Sequence, residues 1–207
     1  MTTRASVPSL TLILAAAAVL LFVIVRHDVH ALSLLYSRVA IADGELWRLL
    51  TSHLLHFSWT HLVADVGSFL LLGLQVERDQ GRATFAMLMT FLALGTSAAL
   101  WLFVPEMHAY GGISALNYGL LTWICLTRRT VVHARWQWSL TVFPAVMLAH
   151  IAWQRATESS LLDAGMPQGL RVAWQAHLAG IVLAFACAGL RAAVSSWQWK
   201  RVCAAVP

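Results

Sequence analysis

Six apolar stretches, at about residues 8–25, 59–76, 84–104, 114–126, 138–153 and 172–190, constrain what this 207-residue chain can fold into. Several approach the ~20 residues that carry a helix across a bilayer, where every backbone N–H and C=O must be satisfied within the segment. The expectation is an all-α integral membrane protein, a bundle of six transmembrane helices. Composition points the same way. With 59% hydrophobic residues, 11% charged residues and a mean hydropathy of +0.71, the chain has more apolar surface than a soluble domain of its length could bury. The fourth stretch is short for a free-standing span. It fits a helix at the bundle centre whose N-terminus stops below the membrane surface. The first stretch could be read as a secretory signal peptide; without a small-residue cleavage site before a soluble domain, it reads as a retained helix.

The net charge of +5 and pI near 9.7 do not imply a nucleic-acid partner, because the arginines fall in short loops between apolar stretches. Placing Arg4, the Glu77–Arg82 loop, the Arg128–Arg135 loop and the tail on one side collects nine Lys and Arg, against five (Arg26, Arg38, Arg48, Arg155, Arg171) on the other. The positive-inside rule then puts both termini in the cytoplasm and the loops at 26–58, 105–113 and 154–171 outside. Trp59, Trp136, Trp138, Trp153, Trp174, Trp197 and Trp199 fall near helix ends, where an amphipathic ring anchors at the interface. Cys125, Cys187 and Cys203 form no CxxC pair and read as plain thiols. Residues 1–207 read as one membrane domain, with a motif-bearing core at about 45–190 and an ordered external loop at about 27–58.

Within the apolar stretches a few polar residues stand out. Ser114 opens the fourth, in Tyr110-Gly111-Gly112-Ile113-Ser114-Ala115-Leu116-Asn117-Tyr118-Gly119, and His177 lies in the sixth, in Ala176-His177-Leu178-Ala179-Gly180. A serine in a membrane helix ordinarily bonds back to a carbonyl of the preceding turn, and an intramembrane histidine can simply line a polar interior. Here each residue sits beside glycines that let two helices approach closely, and a hydroxyl beside a histidine is what nucleophilic catalysis needs. On the second stretch His61 and Asp65 are one helical turn apart. His53, His56 and His61 do not have a recognised zinc spacing, and neither a metal nor a cofactor is expected.

Taken in order, Glu45-Leu46-Trp47-Arg48-Leu49-Leu50-Thr51, His56-Phe57, His61 to Asp65, Gly73, Glu77-Arg78, Gly81, Gly112-Ile113-Ser114, Tyr118 and Ala176 to Gly180 resemble the successive signatures of rhomboid intramembrane serine proteases. Within that family the likeness is to rhombosortases, which process proteins with a C-terminal Gly-Gly sorting tail. The features that suggest this branch are Tyr36-Ser37-Arg38-Val39-Ala40 leading to Gly44, the Trp153-Gln154 pair, and Arg171-Val172-Ala173 before the histidine.

The resemblance implies a rhomboid-like bundle in the inner membrane, its active site opening to the outer, periplasmic side. Ser114 would be the nucleophile and His177 its general base, with Tyr118 packing on the imidazole and Gly119 and Gly180 supplying the close helix contact. Gly112, His61, Asp65 and Asn117 would support the oxyanion. Rhomboids commonly carry Asn where this chain has Asp65, and an ionised carboxylate accepts hydrogen bonds rather than donating them. Three readings stay open: a protonated Asp65 that donates; an Asp65 paired one turn back with a charged His61; or an Asp65 that points away. The resemblance also implies that His56 bonds loop backbone. Trp47-Arg48 is expected to fix the external loop, the Glu77, Arg78 and Arg82 turn to be solvated or locally bonded, and His150 and Gln154 to face substrate entry or water. The implied partners are single-pass membrane substrates, with a Gly-Gly tail if the branch is right, and membrane lipid. The competing reading is an inactive rhomboid-like protein that binds membrane clients.

Overall fold

The computed structural model describes residues 9–128, 138–157 and 173–204. Its helices are α1 (Leu10–Val25), α2 (Arg38–Ala42), α3 (Arg48–Thr51), α4 (Trp59–Gln80), α5 (Arg82–Phe103), α6 (Ser114–Thr127), α7 (Ser139–Thr157) and α8 (Trp174–Ala204). The six longer ones follow the six apolar stretches, and α8 runs past the apolar part of its sequence. Among the described residues α4, α5 and the Trp174–Val194 part of α8 are long and apolar enough to cross a membrane, and α1 is a shorter apolar helix.

One feature of the chain between α1 and α6 escaped the sequence pattern. Two short strands, β1 (Tyr36–Ser37) and β2 (Ala109–Tyr110), pair antiparallel, with Tyr36 opposite Tyr110. They tie the 27–58 segment to the residues that lead into α6. That segment has hydrogen bonds of its own. Buried Arg48 donates to the carbonyls of Leu32 (3.3 Å) and Leu35 (2.8 Å) and pairs with Glu45, while the Thr51 hydroxyl donates to Leu34 O at 2.7 Å. His53 is buried against α5, its Nε2 3.0 Å from Ala93 O and 3.1 Å from Ser97 Oγ. It takes no part in a histidine cluster.

The helix boundaries have local causes. Ser58 caps α4 by accepting from His61 N at 3.2 Å. Gly81, at φ 85°, ends α4 and starts α5, a positive φ at which a side chain would be strained. In the turn after α4, Arg78 and Arg82 are exposed, while Glu77 finds partners far away in the sequence. Its half-buried carboxylate accepts from Ser9 Oγ (2.6 Å), Leu10 N (2.8 Å), Thr11 N (2.9 Å) and Thr11 Oγ1 (2.7 Å). An acid supplied by α4 thus satisfies the N–H groups that the first turn of α1 leaves open. Arg128 pairs with Asp79 at the far end of α6.

The short helix α6 is the centre of the bundle, with nine of its residues buried, from Ala115 to Cys125. Its closest neighbour is α8. A Cβ on Gly180 would lie 2.1 Å from Ala115 O, and one on Gly119 would meet Leu92 at 2.7 Å and Gly180 O at 3.1 Å. Only glycine permits that approach. By contrast α7 rests on its neighbours through Met147 and Ile151, against Ile181, Tyr118, Leu121 and Trp174. A cavity of about 510 Å³ separates it from α4 at the end away from Ser114, lined by Ser68, Leu72, Gln75, Leu121 and Phe143 among others.

Trp59, Trp138 and Trp153 are exposed to 55%, 55% and 37%. The expectations for Arg4, Arg129, Arg135, Trp136 and Arg171, and for the side chains of Trp197, Trp199, Lys200, Arg201 and Cys203, lie outside the described residues.

Candidate active site

The chain enters α6 through Gly111 and Gly112. At φ 123° Gly112 is in a conformation that L side chains rarely adopt, and a Cβ there would meet His61 Nε2 at 2.9 Å and Asp65 Oδ2 at 3.4 Å. Its N–H donates to Ser52 O at 3.1 Å, and its carbonyl accepts from the buried Tyr110 hydroxyl at 3.0 Å. This turn delivers Ser114 as the first residue of α6. The N-cap position is Ile113, which offers no side-chain hydrogen bond. The leading N–H groups of the helix are therefore uncapped by side chain, and the positive end of its dipole is directed at the space above Ser114.

The glycine seam then sets the serine against α8. Ser114 Oγ lies 2.9 Å from His177 Nε2. Tyr118, one turn along α6, stacks on the imidazole with ring centroids 4.5 Å apart and planes 5° from parallel. His177 is 5% exposed, so its second nitrogen needs a partner inside the protein. That partner was not foreseen. Gln154 of α7, 2% exposed, presents Oε1 2.9 Å from His177 Nδ1. Gln154 Nε2 is 3.4 Å from His150 Nε2, and His150 Nδ1 is 2.5 Å from the Tyr118 hydroxyl. Gln154 is thus buried against the His177 imidazole, with His150 half-buried beside it.

On the α4 side the arrangement is looser. Asp65 Oδ2 lies 3.1 Å from His61 Nε2 and 3.3 Å from His56 Nε2. Neither approach is aligned as a hydrogen bond, and Asp65 Oδ2 is buried without one. Asp65 thus lies beside both His61 and His56, whose Nδ1 is 3.2 Å from Leu54 O. The donor atoms of His56, His61 and Asp65 lie within 4.8 Å of one another, a spacing that could hold a metal ion. Asn117 donates from its amide to the Asp65 backbone carbonyl at 2.9 Å and so buttresses α4. Its Oδ1 is buried without a partner.

Outside the membrane-spanning helices, burial lowers the pKa of His53 to about 4, partly offset by its hydrogen bonds to backbone, so this imidazole is neutral in the folded protein.

A helix bundle that holds a serine and a histidine in hydrogen-bond contact at a glycine-packed seam defines the class of protein. The Rhomboid domain family model matches residues 43–193, and the chain belongs to the rhomboid family, as a multi-pass membrane protein. It is 36% identical over 81 residues, 39% of its length, to Rhomboid protease GluP of Bacillus subtilis. It is 30% identical over 118 residues, 55% of its length, to YdcA of the same organism, provisionally named a rhomboid protease. These matches span 16% and 59% of those two relatives.

Proposed function

We propose that this chain is an intramembrane serine endopeptidase that cleaves membrane-anchored proteins through an acyl-enzyme formed on Ser114. The observation that carries the reading is the 2.9 Å contact between Ser114 Oγ and His177 Nε2 in a bundle of the rhomboid family. Two relatives with protease names support it.

Ser114 Oγ attacks the scissile carbonyl while His177 Nε2 takes the hydroxyl proton. The tetrahedral oxyanion is stabilised by the leading N–H groups of α6 and by His61, which Asp65 holds in place. As the C–N bond breaks, His177 returns its proton to the leaving amine. Water then attacks the ester, its proton passes through His177, and Ser114 is regenerated. Tyr118 and Gln154 keep the imidazole oriented throughout.

In this proposal the six longer helices all span the membrane. Both termini are cytoplasmic, in the inner membrane, and the 27–58 segment and Ser114 share the outer, periplasmic side. Residues 1–207 act as one domain. The substrate is a single-pass segment that unwinds near that surface, because a regular helix hides its carbonyls. The rhombosortase likeness narrows it to proteins with a C-terminal Gly-Gly sorting tail.

The test is cleavage in proteoliposomes of two fusions, one with a Gly-Gly sorting tail and one with a generic rhomboid substrate segment. Cleavage of the first supports the whole proposal, and cleavage of the second alone removes the rhombosortase branch. Cleavage of neither contradicts the proteolytic reading.

A further inference from the structure

The polar groups beyond His177 form a series whose hydrogen-bond direction matters. From the nucleophile it runs Ser114 Oγ to His177 Nε2 (2.9 Å), His177 Nδ1 to Gln154 Oε1 (2.9 Å), Gln154 Nε2 to His150 Nε2 (3.4 Å) and His150 Nδ1 to Tyr118 Oη (2.5 Å). A neutral imidazole has one N–H and one lone pair, and a carboxamide has one donor end and one acceptor end. Each member therefore passes direction to the next, and the series has only two self-consistent states.

In the forward state Ser114 donates to His177 and His177 donates from Nδ1 to Gln154. Gln154 donates to His150, and His150 donates from Nδ1 to the Tyr118 oxygen. His177 Nε2 then has its lone pair toward the serine and can act as a base. In the reverse state the Tyr118 hydroxyl donates to His150 Nδ1, and His150 donates from Nε2 to a Gln154 amide turned over end for end. The Gln154 NH2 donates to His177 Nδ1, and His177 Nε2 carries a hydrogen toward Ser114. That imidazole cannot accept the serine proton. The placement of Gln154, oxygen toward His177, is the forward state.

A second proton on His150 removes the choice. Both ring nitrogens then donate, the neighbouring amide must present its oxygen to His150, and only the reverse orientation of Gln154 does so. We propose that Gln154 and His150 are positioning residues that set the tautomer of His177, and that protonation of His150 turns Gln154 over and switches the site off. The inference rests on Ser114 and His177 being the dyad.

Among the described residues the groups facing His150 are few. Tyr118 of α6 stacks beside it at 6.4 Å and Trp153 of its own helix at 6.1 Å, while His177 of α8 lies beyond Gln154. Arg155 is turned away over the Trp174 ring at 5.4 Å, and Asp65 of α4 is engaged with His61 and His56. Among the described residues no carboxylate pairs with His150.

The experiment follows the histidine ring nitrogens by 15N NMR across a pH series, in wild type, Gln154→Glu, Gln154→Leu and His150→Phe in detergent, alongside the rate of fluorophosphonate capture at Ser114. In wild type His177 is the Nδ1–H tautomer near neutral pH. As His150 gains its second proton, His177 converts to Nε2–H while still uncharged, and capture falls in step. A carboxylate only accepts, so Gln154→Glu keeps the Nδ1–H form of His177 when His150 charges, while His150→Phe deletes the step. Gln154→Leu slows capture strongly, toward the ~10⁴ that a wrong-tautomer imidazole costs a serine protease, and Gln154→Glu rescues it. A His177 tautomer that ignores the charging of His150, or equal rates for Gln154→Leu and Gln154→Glu, overturns the proposal. If no protein captures the probe, the dyad reading has failed, and the NMR tautomers alone decide whether His150 controls His177.

Discussion

On the α8 side of Ser114, His177 is held by one bond to the serine and one to Gln154, each 2.9 Å, with Tyr118 stacked on its face. On the α4 side, Asp65 has two imidazoles at 3.1 and 3.3 Å and an aligned hydrogen bond to neither. The first flank is built on backbone that cannot move, the Gly180–Ala115 seam. The second is built on side chains that can, around Gly112. Activating a nucleophile and stabilising an oxyanion both work best from a geometry set before the reaction, so the looser flank is the one that substrate has to complete. In this account the base is preorganised and the oxyanion side completes itself on substrate.

The comparison is broken most violently at the seam. Gly180→Ala puts a Cβ 2.1 Å from Ala115 O, a backbone atom with nowhere to go. The expected result is loss of the folded protein, read as loss of monodisperse material in detergent. The matching change on the other flank, Gly112→Ala, meets the movable His61 side chain at 2.9 Å and adds backbone strain of about 1–3 kcal/mol. That protein should fold, with a lowered Tm and a slow active site.

A smaller effect separates the two roles of Asp65. Asp65→Ala frees His61 and should slow cleavage by about 10²-fold, the low end of the loss of one oxyanion donor. Asp65→Asn should retain most activity, because its amide can accept from His61 and also donate. Equal, severe losses in both variants would show that the negative charge itself is required, against the account.

Much of this was open to reading in the chain because its signals are local. Apolar runs of bilayer length mark the helices, Gly111-Gly112 before Ser114 marks a strained entry into α6, and Tyr118 is one turn from the serine. Gln154 and His150 carry no such mark. They matter only because α7 packs against α8, and a Gln on an apolar helix looks the same whether it meets His177 or lipid headgroups. The partners of Glu77 are hidden for the same reason, since Ser9 to Thr11 lie 66 to 68 residues away. The β1–β2 pair is two residues long, too short for alternation to show.

Glu77 supplies a stability test away from both flanks. Glu77→Gln weakens the bonds to the first turn of α1 and should cost about 1–2 kcal/mol, with the capture rate at Ser114 preserved below the lowered Tm. The smallest effect is a pH dependence. His53 is held neutral, with its pKa lowered from 6.5 to about 4, so the unfolded chain takes up its proton first as pH falls. The stability it contributes is present above 6.5 and is lost as pH falls through about 4. Thermal unfolding across that window should show a slope that is reduced in His53→Gln.

The most direct test of the central claim is mass-spectrometric mapping of fluorophosphonate adducts on the purified protein, with His177→Ala and Ser114→Ala alongside. The account predicts a single adduct on Ser114 in wild type, a capture rate reduced by orders of magnitude in His177→Ala, and no adduct in Ser114→Ala. An unmodified Ser114 in folded wild-type protein, or capture as fast without His177, would contradict it.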